Sequence, residues 1–251
     1  MTPWEAVAIF AAGTAAGGIN AVVGSGSLIT FPTLVALGYP PVLANVSNNI
    51  GLVPGAVASC WGYRRELAGQ SGRLVRLGAG SLLGAIAGGL LLLSLPESAF
   101  KMIVPVLIVV ALVLVVVQPR LNAWVRKRRT SEAGHGGPLL WVLVCLAGVY
   151  GGYFGAAQGI LLISLLGIFL PDDMQTLNGI KNALSGIVNA TAAVLFILIA
   201  EVDWAVVGLI ALGAVLGGYT GASVGRRLPP WALRGVIVCV GLVAIVKLVT
   251  G

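Results

Sequence analysis

Ser25-Gly26-Ser27 and the cluster Asn45, Ser47, Asn48 and Asn49 sit inside otherwise apolar stretches of the chain, with Asn20 just ahead of the serines. A second set, Gln158, Asn178, Lys181, Asn182, Ser185 and Asn189, interrupts apolar stretches further on. Hydroxyls, carboxamides and an ammonium are donors suited to an oxyanion. A polar side chain in hydrocarbon needs a partner, and such groups often line a cavity. Ser25 and Ser27 flank a glycine at an expected helix start, where free N–H groups and the helix dipole favour an anion. Gln158 holds the matching place in the second set and can also donate. Two such helix ends are expected to face each other near the middle of the membrane.

Lys181 is the sharpest single residue. It lies two turns beyond Asp173, about 12 Å along a helix. Three fates are open to it. It could snorkel to the interface, pair with Asp172 or Asp173, or join Asn178 and Asn182 on adjoining turns in a patch suited to an oxyanion.

The missing chemistry narrows the classes. Glu5, Glu97, Glu201 and Asp203 stand at segment ends, and no carboxylate lies well inside an apolar segment. A cation carrier or proton relay usually buries carboxylates. There is no Walker-type sequence, HExxH or serine–histidine arrangement, so no enzyme activity, catalytic residue, metal or cofactor is expected. Cys60, Cys145 and Cys239 have no CxxC spacing and read as small packing residues. His135, the only histidine, falls in a polar linker and is given no role.

These residues must be positioned by membrane helices. Hydrophobic residues make up 58% of the 251 and charged ones only 9%, against about 25% charged in an ordinary soluble domain. Residues 77–95, 102–117, 139–170, 182–200 and 204–225 carry no charge, and most are long enough to cross about 30 Å of hydrocarbon. Period-2 alternation is absent, which argues against a β-barrel. The expected fold is an all-α polytopic membrane protein with about 8–10 transmembrane segments. They fall near 4–22, 24–38, 41–61, 77–95 and 101–118, then 139–157, 158–170, 174–200, 203–225 and 231–250. The short segments 24–38 and 158–170 either complete a crossing or form half of a re-entrant hairpin. The first segment follows Met1-Thr2-Pro3-Trp4-Glu5, which lacks the basic region of a secretory signal, so it is expected to be retained.

The net charge of +7 gathers at Arg64, Arg65, Arg73 and Arg76, at Arg120 and Arg126 to Arg129, and at Arg226, Arg227 and Arg234. All lie between apolar segments, which marks cytoplasmic loops and contact with anionic lipid rather than nucleic acid.

The chain also repeats itself. Asn45-x-x-x-Asn49 recurs as Asn178-x-x-x-Asn182, 133 residues on. At the same shift Gly80, Gly84 and Gly88 recur as Gly213, Gly217 and Gly221, Leu95-Pro96 as Leu228-Pro229, and Lys101 as Arg234. Upstream, Gly24-Ser25-Gly26-Ser27 falls opposite Gly155-Ala156-Ala157-Gln158 at a shift of 131. The expected division is a first repeat over 1–118, a cytoplasmic linker over 119–138 and a second repeat over 139–251. Equivalent loops carry opposite charge: four Arg at 62–76 against Glu201 and Asp203 near 195–209. They should therefore lie on opposite sides of the membrane, the signature of inverted-topology repeats. The GxxxG-spaced glycines are read as helix-packing faces, which sliding helices would also use.

Gly24-Ser25-Gly26-Ser27-Leu28-Ile29-Thr30-Phe31-Pro32, then Gly38-Tyr39-Pro40-Pro41 and Ala44-Asn45-Val46-Ser47, resembles the sulfite exporter TauE/SafE family. Asn178-Gly179-Ile180-Lys181-Asn182, Asp203-Trp204 and Gly213 to Gly225 before Arg226-Arg227-Leu228-Pro229 look like that family's second repeat. The resemblance covers nearly the whole chain. It implies a multi-pass permease of a bacterial-type inner membrane exporting sulfite, organosulfonates or related sulfur anions. The chain departs from the family pattern at Gly155-Ala156-Ala157-Gln158-Gly159 and at Lys181-Asn182, both within the expected site. The leading expectation is a secondary anion transporter working by alternating access. A passive anion channel and a non-transporting membrane scaffold or assembly factor are the alternatives. Expected partners are a small anionic substrate, membrane lipid and a second copy of the chain in a homodimer.

Overall fold

The computed structural model describes residues 1–127, 136–223, 235, 237–239 and 242. The protein is an all-α polytopic membrane protein. In order the helices are α1 Pro3–Val22, α2 Ser27–Ala36, α3 Pro41–Gly62, α4 Ser71–Ser94, α5 Glu97–Lys127, α6 Gly137–Tyr153, α7 Gln158–Phe169, α8 Met174–Ile199 and α9 Trp204–Ser223. Five of them, α1, α4, α5, α8 and α9, are long and apolar enough to cross a membrane. α3 is as long, at 22 residues, but carries the Asn/Ser cluster. His135, most of the segment expected at 231–250, and Arg128, Arg129, Arg226, Arg227 and Arg234 fall outside the described residues.

Local sequence sets the boundaries. Thr2 and Glu5 form a reciprocal capping box at the start of α1, with Pro3 in its first turn, the position where a missing N–H costs nothing. Asp173 caps α8 by accepting from Gln175 N and Thr176 N. Two helices outrun their apolar runs: α4 begins at Ser71 and takes in Arg73 and Arg76, and α5 continues through Pro119 to Lys127. An apolar run reports only the stretch that meets hydrocarbon, whereas a helix can continue into its polar flank.

The breaks at 23–26 and 154–157 turn the chain back on itself. Ile19 O accepts from both Val23 N and Gly24 N, and Tyr150 O from both Phe154 N and Gly155 N. Gly24 and Gly155 take positive φ, 84° and 75°, the left-handed terminus that glycine permits without strain. Gly26 then packs directly on Ala16 O, so α2 runs back beside α1. Beyond α2, Tyr39 lies close to Glu5 and Asp203; burial raises its phenol pKa, and the two carboxylates add to the shift. Hence α1 and α2 form a hairpin with both outer ends at the Glu5/Asp203 end of the bundle.

The second short pair enters from the other end. Arg76 Nη2 donates to Gly137 O at 2.6 Å and Trp141 Nε1 to Arg76 O at 3.0 Å. Beyond α7, Asp172 pairs with Arg73 at 2.6 Å. Both outer ends of the α6–α7 hairpin therefore lie at the Arg-rich end. The segments 24–38 and 158–170 are the short return arms of these two hairpins.

Glycine contacts fix helix directions. Gly80, Gly84 and Gly88 of α4 pack on Trp141, Cys145 and Val149 of α6. Gly213, Gly217 and Gly221 of α9 pack on Phe10, Thr14 and Gly18 of α1. Each pair ascends together, so the helices are parallel, and each contact in one pair maps onto the other at shifts of 133 and 131. A Cβ at Gly84 or Gly217 would overlap carbonyl oxygens, so the glycine spacing serves close approach. The equivalent helices α3 and α8 run antiparallel: Gly179 lies against Tyr63 and Leu67, and Gly186 against Ala56.

Candidate functional site

The two hairpin turns touch. Gly159 N donates to Gly24 O at 3.0 Å, and neither glycine has room for a Cβ against the other's backbone. Around this contact, polar groups of α3 and α8 reach the carbonyls left without intrahelical donors at the ends of α6 and α1. Asn45 Nδ2 donates to Tyr153 O at 3.1 Å. Lys181 Nζ donates to Asn20 O at 3.1 Å and Ala21 O at 3.4 Å, and Asn182 Nδ2 to Ala21 O at 3.2 Å. One amide serves the end of α6, whereas an amide and an ammonium serve the end of α1.

Lys181 is completely buried, at 0% exposure. It neither snorkels nor reaches Asp172 or Asp173: Asp172 is taken by Arg73 and Gln70, and Asp173 caps α8. The Thr176 hydroxyl, donating at 2.6 Å, leads the causes that hold the Asp173 carboxyl below the usual range. Lys181 instead caps the C-terminal end of α1 through Asn20 O and Ala21 O, where the helix dipole favours a cation. Among the described residues no carboxylate pairs with it. Burying an ammonium with carbonyls alone is costly, so the charged form of Lys181 would be favoured by an anion close by.

The two hairpin returns differ. At α2, Asn20 Oδ1 accepts from Gly26 N at 2.7 Å, and the Ser25 hydroxyl is 1% exposed with no hydrogen-bond partner among the described residues. At α7, Gly24 O occupies the Gly159 N–H, and Gln158 turns away to donate from Nε2 to Ala147 O at 3.2 Å. Ala157 is held at φ 59° just before α7. The start of α7 is therefore closed by protein groups, while the start of α2 keeps a free buried hydroxyl.

Asn20, Ser25, Asn45, Lys181 and Asn182 gather at the turn contact. Asn49 is buried on α3 with Oδ1 unpartnered. Asn48 Oδ1 is bonded by the Thr30 hydroxyl of α2. Ser47 is drawn elsewhere, accepting from Asp203 N at 3.2 Å. Ser27, Asn178 and Ser185 are half-buried. Two contributors escaped the sequence reading. Thr30 lies one turn past Ser27, a spacing that could have flagged it. Tyr153, whose buried hydroxyl also lacks a partner, carried no signal because its position in the first repeat holds Val22.

Comparison with known proteins comes down on one family. Residues 9–248 match the family model described as Sulfite exporter TauE/SafE. A probable membrane transporter protein of Haemophilus influenzae is 28% identical over 246 residues, covering 96% of this chain and 93% of the relative. The probable membrane transporter protein YfcA of Escherichia coli K12 is 28% identical, covering 93% and 85%. The probable membrane transporter protein ORF9 of a Sinorhizobium species is 24% identical, covering 96% and 90%. No solved structure gives a significant match. With helices able to span a membrane and a family match over nearly its whole length, the chain belongs to the TauE/SafE family of membrane transporters.

Proposed function

We propose that this transporter moves small oxyanions, sulfite and organosulfonates among them, out across the inner membrane by alternating access. The anion binds where the hairpins meet, between the start of α2 and Lys181. One observation carries the reading: the Ser25 hydroxyl is buried at a helix N-terminus without a partner among the described residues, in a bundle that also buries Lys181 with no carboxylate on it among those residues. Ser25 and Ser27 donate to the anion, the amides of Asn45, Asn49 and Asn178 and the hydroxyl of Ser185 line its path, and Lys181 supplies countercharge, while Ser47 stays on Asp203 N. Asn20, Asn48, Gln158 and Asn182 hold the surrounding backbone and helices. A buried hydroxyl donor at a helix N-terminus, in a bundle that also buries a lysine, suits an anionic ligand.

Two inverted repeats, 1–118 and 139–251 joined by a linker at 119–138, are part of this proposal. The antiparallel crossing of α3 and α8, the hairpins entering from opposite ends and the exchanged glycine contacts support it. Alternating access follows by rocking one hairpin with its partner helices against the other. The Arg-rich end is cytoplasmic. Counterflow of labelled sulfite or a small sulfonate in proteoliposomes tests the function, because trans-stimulation separates a carrier from a channel.

A further inference from the structure

The surface facing lipid holds a groove between α3 and α9 whose ends differ in chemistry. Its walls are Val53, Val57 and Trp61 on α3 and Val215, Leu216 and Tyr219 on α9, with almost no polar surface and a volume of about 730 Å³. The Thr220 hydroxyl on its wall is spent on Leu216 O at 2.7 Å. The floor exists because Gly218 packs on Gly55 O, bringing the two helix backbones together. A second apolar hollow shares Pro54, Val215 and Leu216 and extends the groove to Leu212 and Phe10. From Thr220 to Ala211 is about 14 Å of helix rise, roughly the depth of one leaflet of hydrocarbon.

The groove reaches Trp61 in the last turn of α3, and Arg64 follows three residues on. The Arg64 guanidinium stands 5.2 Å from the Trp61 ring centre and donates once, to Trp61 O at 3.0 Å. Arginine has five N–H donors, and Arg64 and Arg65 are both exposed. An exposed guanidinium on an indole, at the mouth of an apolar slot one leaflet deep, matches an anionic headgroup joined to an acyl chain. A second copy of the chain suits the groove less well. A two-fold contact over this face, with the axis along the membrane normal, would bring the basic ends of both copies together, and like charges oppose such docking.

We propose that the α3–α9 groove is a binding site for an anionic phospholipid, its headgroup phosphate on Arg64 and one acyl chain between Trp61 and Tyr219. The site is separate from the hairpin contact and stands whether or not the anion assignment does.

Thermal unfolding of the full-length protein in neutral detergent, with added phosphatidylglycerol or phosphatidylcholine of the same chains, tests it. Phosphatidylglycerol should raise the Tm by about 4 °C more than phosphatidylcholine, and Arg64→Gln should abolish that excess. Equal shifts for the two lipids, or an excess that survives in Arg64→Gln, would overturn the proposal. So would the same shift from inorganic phosphate alone, since the acyl chain would then be irrelevant. A Val57→Cys variant with Cys60, Cys145 and Cys239 replaced by alanine should stay monomeric under oxidation in native membranes; a disulfide-linked dimer would assign the groove to a second copy instead.

Discussion

The Gly159 amide donates to the Gly24 carbonyl at 3.0 Å, joining the turn of one hairpin to the start of the other's return helix. A Cβ on Gly24 would lie 2.5 Å from Gly159 Cα, and Gly24 also holds φ 84°. Steric overlap and backbone strain therefore act together at one position. Gly24→Ala should abolish recovery of folded protein in fluorescence-detected size exclusion, or cost more than about 3 kcal/mol. Gly72→Ala, with nothing within 4 Å of its Cβ, should behave as wild type.

Lys181 separates function from stability. A buried ammonium facing only carbonyls costs desolvation energy that an apolar side chain does not incur, and Ala21 O keeps its bond from Asn182 in its absence. Lys181→Met should keep the Tm within about 2 °C of wild type, or raise it, while lowering anion flux at least about tenfold. A fall in Tm that accounts for the lost flux would reduce Lys181 to a helix cap.

Ala157 stands fully buried at φ 59°, a conformation that costs a non-glycine residue about 1 kcal/mol. Relief of that strain outweighs the added chain entropy of glycine. Ala157→Gly should raise stability by about 0.5 kcal/mol, read as a small increase in Tm. A decrease would mean that the lost methyl packing outweighs the strain.

Asp173 gives the Arg-rich end a pH dependence. Its carboxyl is held low in the folded state, so its contribution is present above the unfolded pKa near 3.9. That contribution is lost as pH falls through the lower folded value. Asp173→Ala should cost about 1 kcal/mol at neutral pH, the usual worth of an N-cap. The gap between variant and wild type should narrow as pH falls through the lowered folded pKa; a gap that stays constant in acid would mean the cap does not act through its charge.

Arg73 and Asp172 join the first half to the second at their shared end, with both side chains mostly buried. Asp172→Arg alone should destabilise by about 2 kcal/mol, and the swap Arg73→Asp with Asp172→Arg should recover part of the loss. Additive losses in the double variant would show that the pair is not coupled.

Membrane helices and the close-packing glycine faces were legible in the sequence because hydropathy and GxxxG spacing report directly on lipid contact and close packing. The segments 24–38 and 158–170 stayed ambiguous because a ten-residue apolar helix satisfies either a crossing or a half-hairpin. The packing of Gly26 on Ala16 lays α2 back along α1, and no local pattern encodes that contact. Lys181 was visible as an anomaly, yet its partners are backbone carbonyls 160 and 161 residues away, and carbonyls leave no mark in a sequence. The inequality of the hairpins was half legible: Ser25 against Ala156 could be read, but not that Gly24 closes the start of α7 or that Gln158 turns to Ala147.

Counterflow of labelled sulfite in proteoliposomes, run for wild type, Ser25→Ala and Lys181→Met at matched folded amounts, tests the central claim most directly. The account predicts trans-stimulated flux in the wild type and a loss of at least about tenfold in each variant. Wild-type flux retained by both variants, or no flux of sulfite or any small sulfonate in the wild type, would contradict it.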